Sequence, residues 1–312
     1  MRKKPELLAP AGNFEKLKYA LHYGADAVYC AGKKFGLRAK ADNFDLKELE
    51  EAVLYVHEHK KRIYVTLNMI PHNDDLEDLP EYVKALDKIG VDAVLVADPG
   101  VFAIVRETAP ELKIAISTQA NNTNWKSAEF WYHQGAKRMV LARELGLEEI
   151  AEIASKTPED MEIETFVHGA MCISYSGRCL LSHYMTGRNS NQGDCAHPCR
   201  WKYHLIEETR PNEDFRIEED ESGSFIFNSK DLCLINKIPE LIQAGVDSFK
   251  IEGRMKTLYY VASVVSVYRR VIDWCFDHPD SIDRSMLELN QRLNSFFHAG
   301  SLKNAAEKRR SI

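Results

Sequence analysis

The chain has 312 residues, 45% of them hydrophobic and 28% charged, which is enough apolar material for a large buried core. Its formal net charge of −6 gives no overall positive field, so contact with a nucleic acid would depend on a local basic patch. The first twelve residues are partly basic but lack an apolar stretch behind them, and no apolar run is long enough to span a bilayer. We therefore expect a cytoplasmic protein with no signal peptide and no membrane span.

Short apolar segments alternate along the chain with amphipathic segments of helical period. Leu46, Leu49 and Val53 have the i, i+3, i+7 spacing of a helix stripe that faces a core, and Asp45 stands at the N-cap position. A second stripe follows Asn13 in the same way. The predicted strands are residues 6–9, 27–30, 63–67, 93–97, 114–117, 138–142, 163–167 and 248–251.

The junctions between predicted helices and strands repeat a short Gly-x-Asp pattern. It occurs at residues 24–26, 90–92 and 245–247, with a looser copy, Gly-Ala-Lys, at 135–137. Glycine there supplies the left-handed conformation that ends a helix and turns the chain into the next strand. With a last helix at residues 259–274, this regularity predicts an α/β fold, a (βα)8 TIM-barrel-like domain. A doubly wound open sheet is the alternative, because sequence shows alternation but not closure.

Polar residues directly follow several of the predicted strands. In both architectures the carboxyl ends of the strands carry the functional site, so these residues are candidates for an active-site rim. The alternative is that they are only turn formers and helix caps. The candidates are Asn68, Gln119, Arg143, His168, Glu252 and Arg254.

A long insertion with clustered cysteines breaks the pattern after the seventh predicted strand. Residues 169–230 precede a predicted helix at 232–244, and a loop of that length in a compact fold is usually functional. Seven cysteines without a secretory signal indicate a reducing compartment rather than a disulfide framework. Four of the seven fall within 28 residues of the insertion. The cysteines are Cys30, Cys172, Cys179, Cys195, Cys199, Cys233 and Cys275.

The cysteine spacing favours an iron–sulfur cluster over zinc. Structural zinc sites usually have paired Cys-x2-4-Cys knuckles, whereas here only Cys195-x3-Cys199 approximates one. Cys172, Cys179 and Cys195 form the core of the expected ligand set, with Cys233 as the fourth ligand and Cys199 as the alternative. A set of three ligands, with one iron open to substrate, and chance clustering of thiols are the alternatives. Cys30 and Cys275 are expected to be structural.

Cations and aromatic rings are interleaved around the cysteines. This composition suits a stacked base or an anionic small molecule, although such residues also serve as hydrogen-bond donors around a cluster. The acidic stretch at residues 207–221 is expected to be a solvated hairpin or loop. The candidate substrate-binding residues in the basic and aromatic segment are Tyr175, Arg178, Arg200 and Trp201, with Tyr203 beside them.

Several motifs together resemble the peptidase U32 family. The most specific is the segment 164–182, which runs from Glu164 through His168 and Cys172 to Cys179. The resemblance covers residues from about 6 to 270. The other motifs lie at residues 6–12, 117–119, 142–144, 195–202, 228–233 and 250–256.

The resemblance implies an oxygen-independent hydroxylase that holds a [4Fe-4S] cluster. The family carries an older label of collagenase-like protease, but its better understood members hydroxylate tRNA uridine, 23S rRNA cytidine or ubiquinone precursors. The segments at 195–202 and 228–233 are most similar to the tRNA 5-hydroxyuridine branch. That similarity implies the wobble uridine of tRNA as substrate and prephenate as hydroxyl donor. In the family the fourth ligand varies between the positions of Cys199 and Cys233, so both stay open.

The family's longer members continue into a small β-domain where this chain stops. We expect the barrel to take up residues 1–275, with the cysteine-rich insertion at 169–230 inside it. Residues 276–312 are expected to form a helical extension with a basic tail. Because short members can work beside a longer paralogue, the resemblance implies a hetero-oligomeric partner in addition to tRNA.

For a hydroxylase, we expect three kinds of role at the site. Arg143, Lys250 and Arg254 would contact the carboxylates of the donor, and Glu252, Glu164 or His168 would move protons. Tyr175, Trp201 and Tyr203 would stack the target base, with Asn68 and Gln119 at the rim. The alternatives are a peptidase, for which a pair of Cys172 with His168 is the candidate, and a non-catalytic subunit that carries a cluster.

Overall fold

The computed structural model describes residues 3–37, 42–172, 174–201, 205–207, 209–215, 219–220, 223–224 and 231–278. Eight parallel strands form a closed ring in which the first strand pairs with both the second and the last. Closure confirms the predicted (βα)8 barrel over the open sheet, which would have two free edges. The barrel strands are β1 (Glu6–Pro10), β2 (Ala27–Cys30), β3 (Arg62–Leu67), β4 (Ala93–Val96), β5 (Ile114–Ile116), β6 (Arg138–Val140), β7 (Glu162–Ala170) and β8 (Ser248–Ile251).

The helices lie in the connections between the strands, and the N-caps expected at Asn13 and Asp45 are confirmed. The Asn13 side chain accepts a hydrogen bond from Lys16 N, and Asp45 accepts one from Glu48 N in a capping box. None of the described helices is long and apolar enough to cross a membrane. The helices are α1 (Phe14–His22), α2 (Leu46–Glu58), α3 (Asn73–Glu77), α4 (Leu79–Ile89), α5 (Pro99–Thr108), α6 (Trp125–His133), α7 (Leu147–Lys156), α8 (Leu181–Thr186), α9 (Ile238–Ala244) and α10 (Leu258–Asp277).

The Gly-x-Asp repeat fastens neighbouring strands at their amino ends. Asp92 Oδ2 accepts a hydrogen bond of 2.8 Å from Ile63 N, so the residue before β4 holds the start of β3. In the same way, Asp26 Oδ2 accepts a hydrogen bond of 3.0 Å from Leu7 N in β1, and Asp247 Oδ2 accepts one of 2.8 Å from Ile163 N in β7. The looser copy has Lys137 at this position, and an ammonium group cannot accept such a bond. The repeat is therefore a structural device of the barrel.

Two sets of buried side chains alternate along the strands. The larger set packs between the barrel and the helices, so the smaller set, which includes Leu8, Tyr64 and Phe166, fills the barrel interior. At the amino end the interior also holds charges. Arg138 Nη1 donates to Glu6 at 2.7 Å and to Glu164 at 2.8 Å. Although burial acts to raise the pKa of Glu6, Arg138 and then Arg62 outweigh it and lower that pKa.

The predicted helix at residues 232–244 is wrong in its first half. Residues Asp231–Cys233 form a short strand that runs antiparallel to the end of β7, with Cys233 opposite His168. A 3-10 turn follows, and α9 begins only at Ile238. Pro239 explains this start, because proline fits the first turn of a helix but would break its interior. Cys233 therefore lies in a strand, not at the start of a helix.

The insertion after β7 contains little regular structure. It includes α8 and 3-10 turns at Ser190–Gln192 and Pro198–Arg200. In the acidic stretch, Leu205–Glu207 pairs antiparallel with Arg210–Phe215, which confirms the hairpin expected there. Tyr203, the segment 225–230 and residues 279–312 lie outside the described residues, and so does most of the predicted extension at 276–312.

Candidate functional site at the carboxyl end of the barrel

A cavity opens at the carboxyl ends of the strands, between the barrel and the insertion. It encloses about 1020 Å³ of free space, part of it open to solvent. Thirteen of its lining residues come from the barrel and its loops, and the other thirteen come from the first 31 residues of the insertion, 170–200. The predicted site residues that line it are Asn68, Gln119, Arg143, Cys172, Tyr175, Cys179, Cys195, Cys199, Arg200, Lys250, Glu252 and Arg254.

Four thiols share the rim of this cavity. Cys172, Cys179, Cys195 and Cys199 all line it and none forms a disulfide. Burial raises the pKa of Cys199 above its ordinary value, and the neighbouring sulfurs of Cys172 and Cys195 raise it further. Four thiolates at one rim repel one another, so their joint ionisation requires a positive group among them.

Cys233 is separate from these four. It is exposed, does not line the cavity, and its Sγ lies 4.0 Å from the hydroxyl oxygen of Tyr268. Cys30 and Cys275 are buried in the core, where burial raises their thiol pKa to about 12 and about 11. The structure thus groups Cys199, and not Cys233, with the three core cysteines of the predicted ligand set.

The four thiols do not form the site of a single metal ion. Over the described residues, no three His, Cys, Asp or Glu side chains stand close enough together to hold one ion. A cluster of four irons is wider than one ion, and each of its irons takes its own thiolate. The absence of a single-ion site among the described residues does not favour the zinc alternative.

Three cations form one wall of the cavity. Lys250 Nζ lies 2.7 Å from Glu164 Oε1, and burial lowers its pKa while Glu164 opposes the shift. Arg143 stacks on Phe166, with its guanidinium carbon 3.9 Å from the ring centroid. Arg143 Nε is buried without a hydrogen-bond partner among the described residues. Arg254 is buried and donates to Leu37 O. This cationic wall is suited to a carboxylate.

Uncharged polar groups form a second wall, which the ends of β3 and β5 provide. Asn68 Nδ2 donates to Gln119 Oε1 at 2.9 Å and to Ser117 Oγ at 3.1 Å. Thr66 is 2% exposed, and its hydroxyl has no hydrogen-bond partner among the described residues. This amide wall lines the same cavity as the cationic wall.

A carboxylate and a phenol also line the cavity. Tyr29 Oη is 3.0 Å from Ile251 O and 3.2 Å from Glu252 Oε2. Burial, and then the Glu252 charge, raises the pKa of Tyr29 well above its ordinary value. Gly169 has a φ of +114°, and a Cβ there would lie 2.5 Å from Glu252 O. Glycine at 169 thus permits the close approach of the end of β7 to Glu252.

The other two predicted proton carriers do not line the cavity. Glu164 is 0% exposed and is bound by Arg138 and Lys250 deep in the barrel. His168 is buried, and its Nδ1 lies 3.3 Å from the hydroxyl of Tyr268. Burial lowers the pKa of His168 to about 4. Of the three candidates only Glu252 reaches the mouth.

The predicted base-binding residues divide into two groups. Tyr175 and Arg200 line the cavity, whereas Arg178 and Trp201 are exposed outside its lining. Arg200 is held in place by Asp231, whose carboxylate also binds Lys256 at 3.1 Å. Asp231 thereby ties the segment that carries Cys199 to the barrel rim.

Sequence reasoning missed several cavity residues. Tyr29, Phe166, Thr66 and Ser117 were missed. Asp231, which does not line the cavity but binds Arg200, was not predicted either, although it lies inside the motif at 228–233. The available signal was the period of two along the strands, which points Tyr29 and Phe166 into the barrel.

A second cavity, with about 900 Å³ of free space, opens at the amino end of the barrel. Arg62, Lys113, Lys137 and Arg138 line it together with four carboxylates. The four cations and four carboxylates balance in charge, and the amino end of a barrel serves stability rather than catalysis. The thiols and the cationic wall lie at the other end.

Comparison with known proteins accords with this arrangement. The family model described as Peptidase family U32 matches residues 12–310. The chain belongs to peptidase family U32. It is 50% identical over 276 residues to tRNA hydroxylation protein P1 of Bacillus subtilis, a match that covers 88% of this chain and 65% of that protein. It is 38% identical over 280 residues to a 23S rRNA 5-hydroxycytidine synthase of Escherichia coli, a match that covers 90% of this chain and 41% of that protein.

Among solved structures, a U32 peptidase matches with a TM-score of 0.52 at 16% identity. The match covers 80% of this U32 chain and 93% of the solved one. That identity establishes a shared barrel fold and no shared activity. The chain also spans slightly less than two thirds of the length of the Bacillus subtilis relative.

Proposed function

We propose that this chain hydroxylates RNA without oxygen, with the wobble uridine of tRNA as target, prephenate as hydroxyl donor and a [4Fe-4S] cluster as cofactor. The observation that carries the proposal is the rim of four thiols over a cavity with one cationic and one amide wall. The names of the relatives, which are a tRNA hydroxylation protein and an rRNA hydroxycytidine synthase, support RNA as the class of substrate.

The cluster would be held by Cys172, Cys179, Cys195 and Cys199. These thiols fit such a group because they share one rim and are free of disulfides. Burial, and then the neighbouring sulfurs, raise the pKa of Cys199, and the positive irons would oppose both effects. When bound, the cluster would supply Lewis-acid and electron-transfer chemistry at the cavity mouth.

The cationic wall supports a carboxylate-bearing donor. Lys250, Arg143 and Arg254 project into one cavity beside the apolar rings of Phe166 and Tyr29. Prephenate has one carboxylate on its six-membered ring and a second at the end of its pyruvyl side chain. The cations would pair with these charges while the aromatic rings pack against its body. The buried Nε of Arg143 provides a donor that no described protein group uses.

Glu252 is the group best placed to move a proton in the cavity. It lies beside Tyr29 Oη, and its backbone carbonyl accepts a hydrogen bond from Tyr260. These contacts hold Glu252 at the lining of the cavity. We assign proton transfer to Glu252 rather than to Glu164 or His168, which do not line the cavity.

The surface around the mouth supports binding of a single-stranded loop of RNA. Tyr175 and Trp201 are 47% and 44% exposed, and Arg178 is exposed beside them. The described part of the insertion from 171 to 201 has three arginines and one aspartate, in a chain of net charge −6. Exposed rings stack on unpaired bases, and arginines bind the phosphates between them.

A longer U32 paralogue remains our proposed partner. The chain is shorter than the Bacillus subtilis relative, and a paralogue with additional sequence would extend the RNA-binding surface. Co-expression with such a paralogue and size-exclusion chromatography at several protein concentrations tests this. Elution of the two chains at their separate volumes would contradict the partnership.

The decisive experiment is hydroxylation by protein purified without oxygen. We expect 5-hydroxyuridine in the nucleoside digest when the protein, prephenate and unmodified tRNA are combined, measured by mass spectrometry. Cys172→Ala should abolish the product, whereas Cys275→Ala, a buried thiol of the last helix, serves as the matched control.

Other outcomes would favour the alternatives. Cleavage of a collagen-derived peptide without hydroxylation of RNA would support the peptidase function. Product formed only with a paralogue present, and insensitive to Cys172→Ala in this chain, would support the non-catalytic subunit.

A further inference from the structure

The orientation of the Gln119 side-chain amide follows from a chain of hydrogen bonds that starts at the backbone. Leu37 N donates to Asn68 Oδ1 at 3.4 Å. A backbone N–H is always a donor, so the oxygen of Asn68 must face it and the Asn68 amino group must face the other way. That amino group donates to Ser117 Oγ and to Gln119 Oε1.

Ser117 completes the chain. Its hydroxyl accepts from Asn68 and donates to Gln119 Oε1. Gln119 Oε1 therefore receives two hydrogen bonds, and its amide cannot rotate without placing N–H groups against N–H groups. The stem of the side chain packs against Gly177, where an added Cβ would lie 3.3 Å from the Cβ and Cγ of Gln119.

The remaining group of Gln119 is its amino group, Nε2. Gln119 is half-buried and lines the cavity, and Nε2 has no hydrogen-bond partner among the described residues. The amide wall thus presents a fixed hydrogen-bond donor to a ligand. It favours a ligand atom that accepts, and it disfavours an amino group at the same place.

The two pyrimidines that U32 relatives suggest as targets differ at this kind of atom. At C4 uracil has a carbonyl oxygen, which accepts, whereas cytosine has an amino group, which donates. Hydroxylation at C5 brings the neighbouring C4 substituent into the cavity. The O2 atom, which both bases share, lies across the ring from C5.

We infer that Gln119, oriented by Asn68 and Ser117, reads the C4 carbonyl of the target base and makes this chain specific for uridine over cytidine. The inference rests on the proposed function and adds the residue that sets its base specificity. Gln119 contacts the base, while Asn68 acts through Gln119 as a positioning residue. A misplaced donor pair leaves a buried group without a partner, so we expect a preference of about 10- to 100-fold.

Internal competition tests this. Two anticodon stem-loops that differ only in U or C at the target position are mixed in equal amounts with wild-type protein and prephenate. The ratio of hydroxylated uridine to hydroxylated cytidine is measured at low conversion. Fluorescence anisotropy of each labelled stem-loop measures binding separately from chemistry.

Two variants replace the hydrogen-bond donor that the amide wall presents to the ligand with an acceptor, each in a different way. In Gln119→Glu one carboxylate oxygen still accepts from Asn68 and Ser117, and the other now accepts from the amino group of cytosine. In Asn68→Asp the donor to Gln119 is lost, so the Gln119 amide turns its oxygen toward the ligand. Both should shift the ratio toward cytidine by about tenfold or more. Gln134→Glu, an equal charge change at an exposed site, should leave it unchanged.

The outcomes separate the two proposals. A wild-type preference for uridine that shifts toward cytidine in either variant supports the inference. Hydroxylated uridine with the same ratio in wild type and in folded Asn68→Asp and Gln119→Glu proteins overturns the inference alone. Wild-type protein that neither binds nor hydroxylates either stem-loop overturns the proposed function, and the inference with it.

Discussion

Cys233 Sγ lies 4.0 Å from the hydroxyl oxygen of Tyr268, outside the cavity whose rim carries Cys199. The two thiols are 34 positions apart in the sequence, and both matched the family's fourth ligand position. The fold separates them because Cys233 belongs to a strand that pairs with β7, while Cys199 belongs to a 3-10 turn at the mouth.

The fourth ligand can be tested by substitution. We expect Cys199→Ala to lose most of its iron and sulfide after anaerobic purification, because one iron then has no thiolate. Cys233→Ala is the matched control and should keep both. The measurement is iron and sulfide content beside the visible spectrum. Loss of the cluster in Cys233→Ala but not in Cys199→Ala would show that Cys233 is the ligand.

Arg143 should act on the hydroxyl donor and not on RNA. Arg143→Ala removes a cation from the cavity wall, so we expect prephenate to bind about 10- to 100-fold more weakly, the loss typical of a charge-assisted hydrogen bond. Arg178→Ala, outside the cavity, should leave prephenate binding unchanged and weaken RNA binding. Isothermal titration calorimetry measures the affinity for prephenate, and fluorescence anisotropy measures the affinity for RNA. Equal effects of both variants on prephenate would remove Arg143 from this role.

Glu164 should matter for stability because it is shared by two buried cations. Glu164→Gln keeps the shape but removes the carboxylate that binds Lys250 and one of the carboxylates that bind Arg138, which keeps Glu6 and Glu162. Breaking a buried ion pair costs about 3–5 kcal/mol of unfolding free energy. Urea unfolding measures the loss. Glu81→Gln, in an exposed pair with Lys84, should leave the unfolding free energy nearly unchanged. An equally small effect in both variants would contradict the assigned network.

His168 should make stability depend on pH on the acid side. Its folded pKa of about 4 lies below the ordinary value of 6.5, so the unfolded chain takes up the proton first. The contribution of neutral His168 to the unfolding free energy is therefore complete above pH 6.5 and is lost as the pH falls toward 4. This loss of unfolding free energy amounts to about 3 kcal/mol. Urea midpoints of wild type and His168→Gln between pH 7.5 and 4.5 test this, with exposed His133→Gln as control. Parallel curves for His168→Gln and wild type would contradict it.

Local patterns in the chain were sufficient to predict the barrel. The strands, most of the helices and the caps at Asn13 and Asp45 depend on periodicity and on glycine and aspartate at junctions, which act within a few residues. The error at residues 232–244 has the same origin. An apolar run there fits a helix or a strand, and only the free edge at the end of β7 favours the strand.

The clustering of the cysteines and the polar strand ends also identified the site from sequence alone, because parallel strands bring their carboxyl ends to one face. Tertiary structure decided which groups meet there. It placed Cys199 with the other three thiols and Cys233 beside Tyr268, and it set the Gln119 amide through a bond from Leu37 to Asn68. Partners 31 and 51 positions apart leave no periodic signal, since their contact depends on barrel closure and not on local conformation.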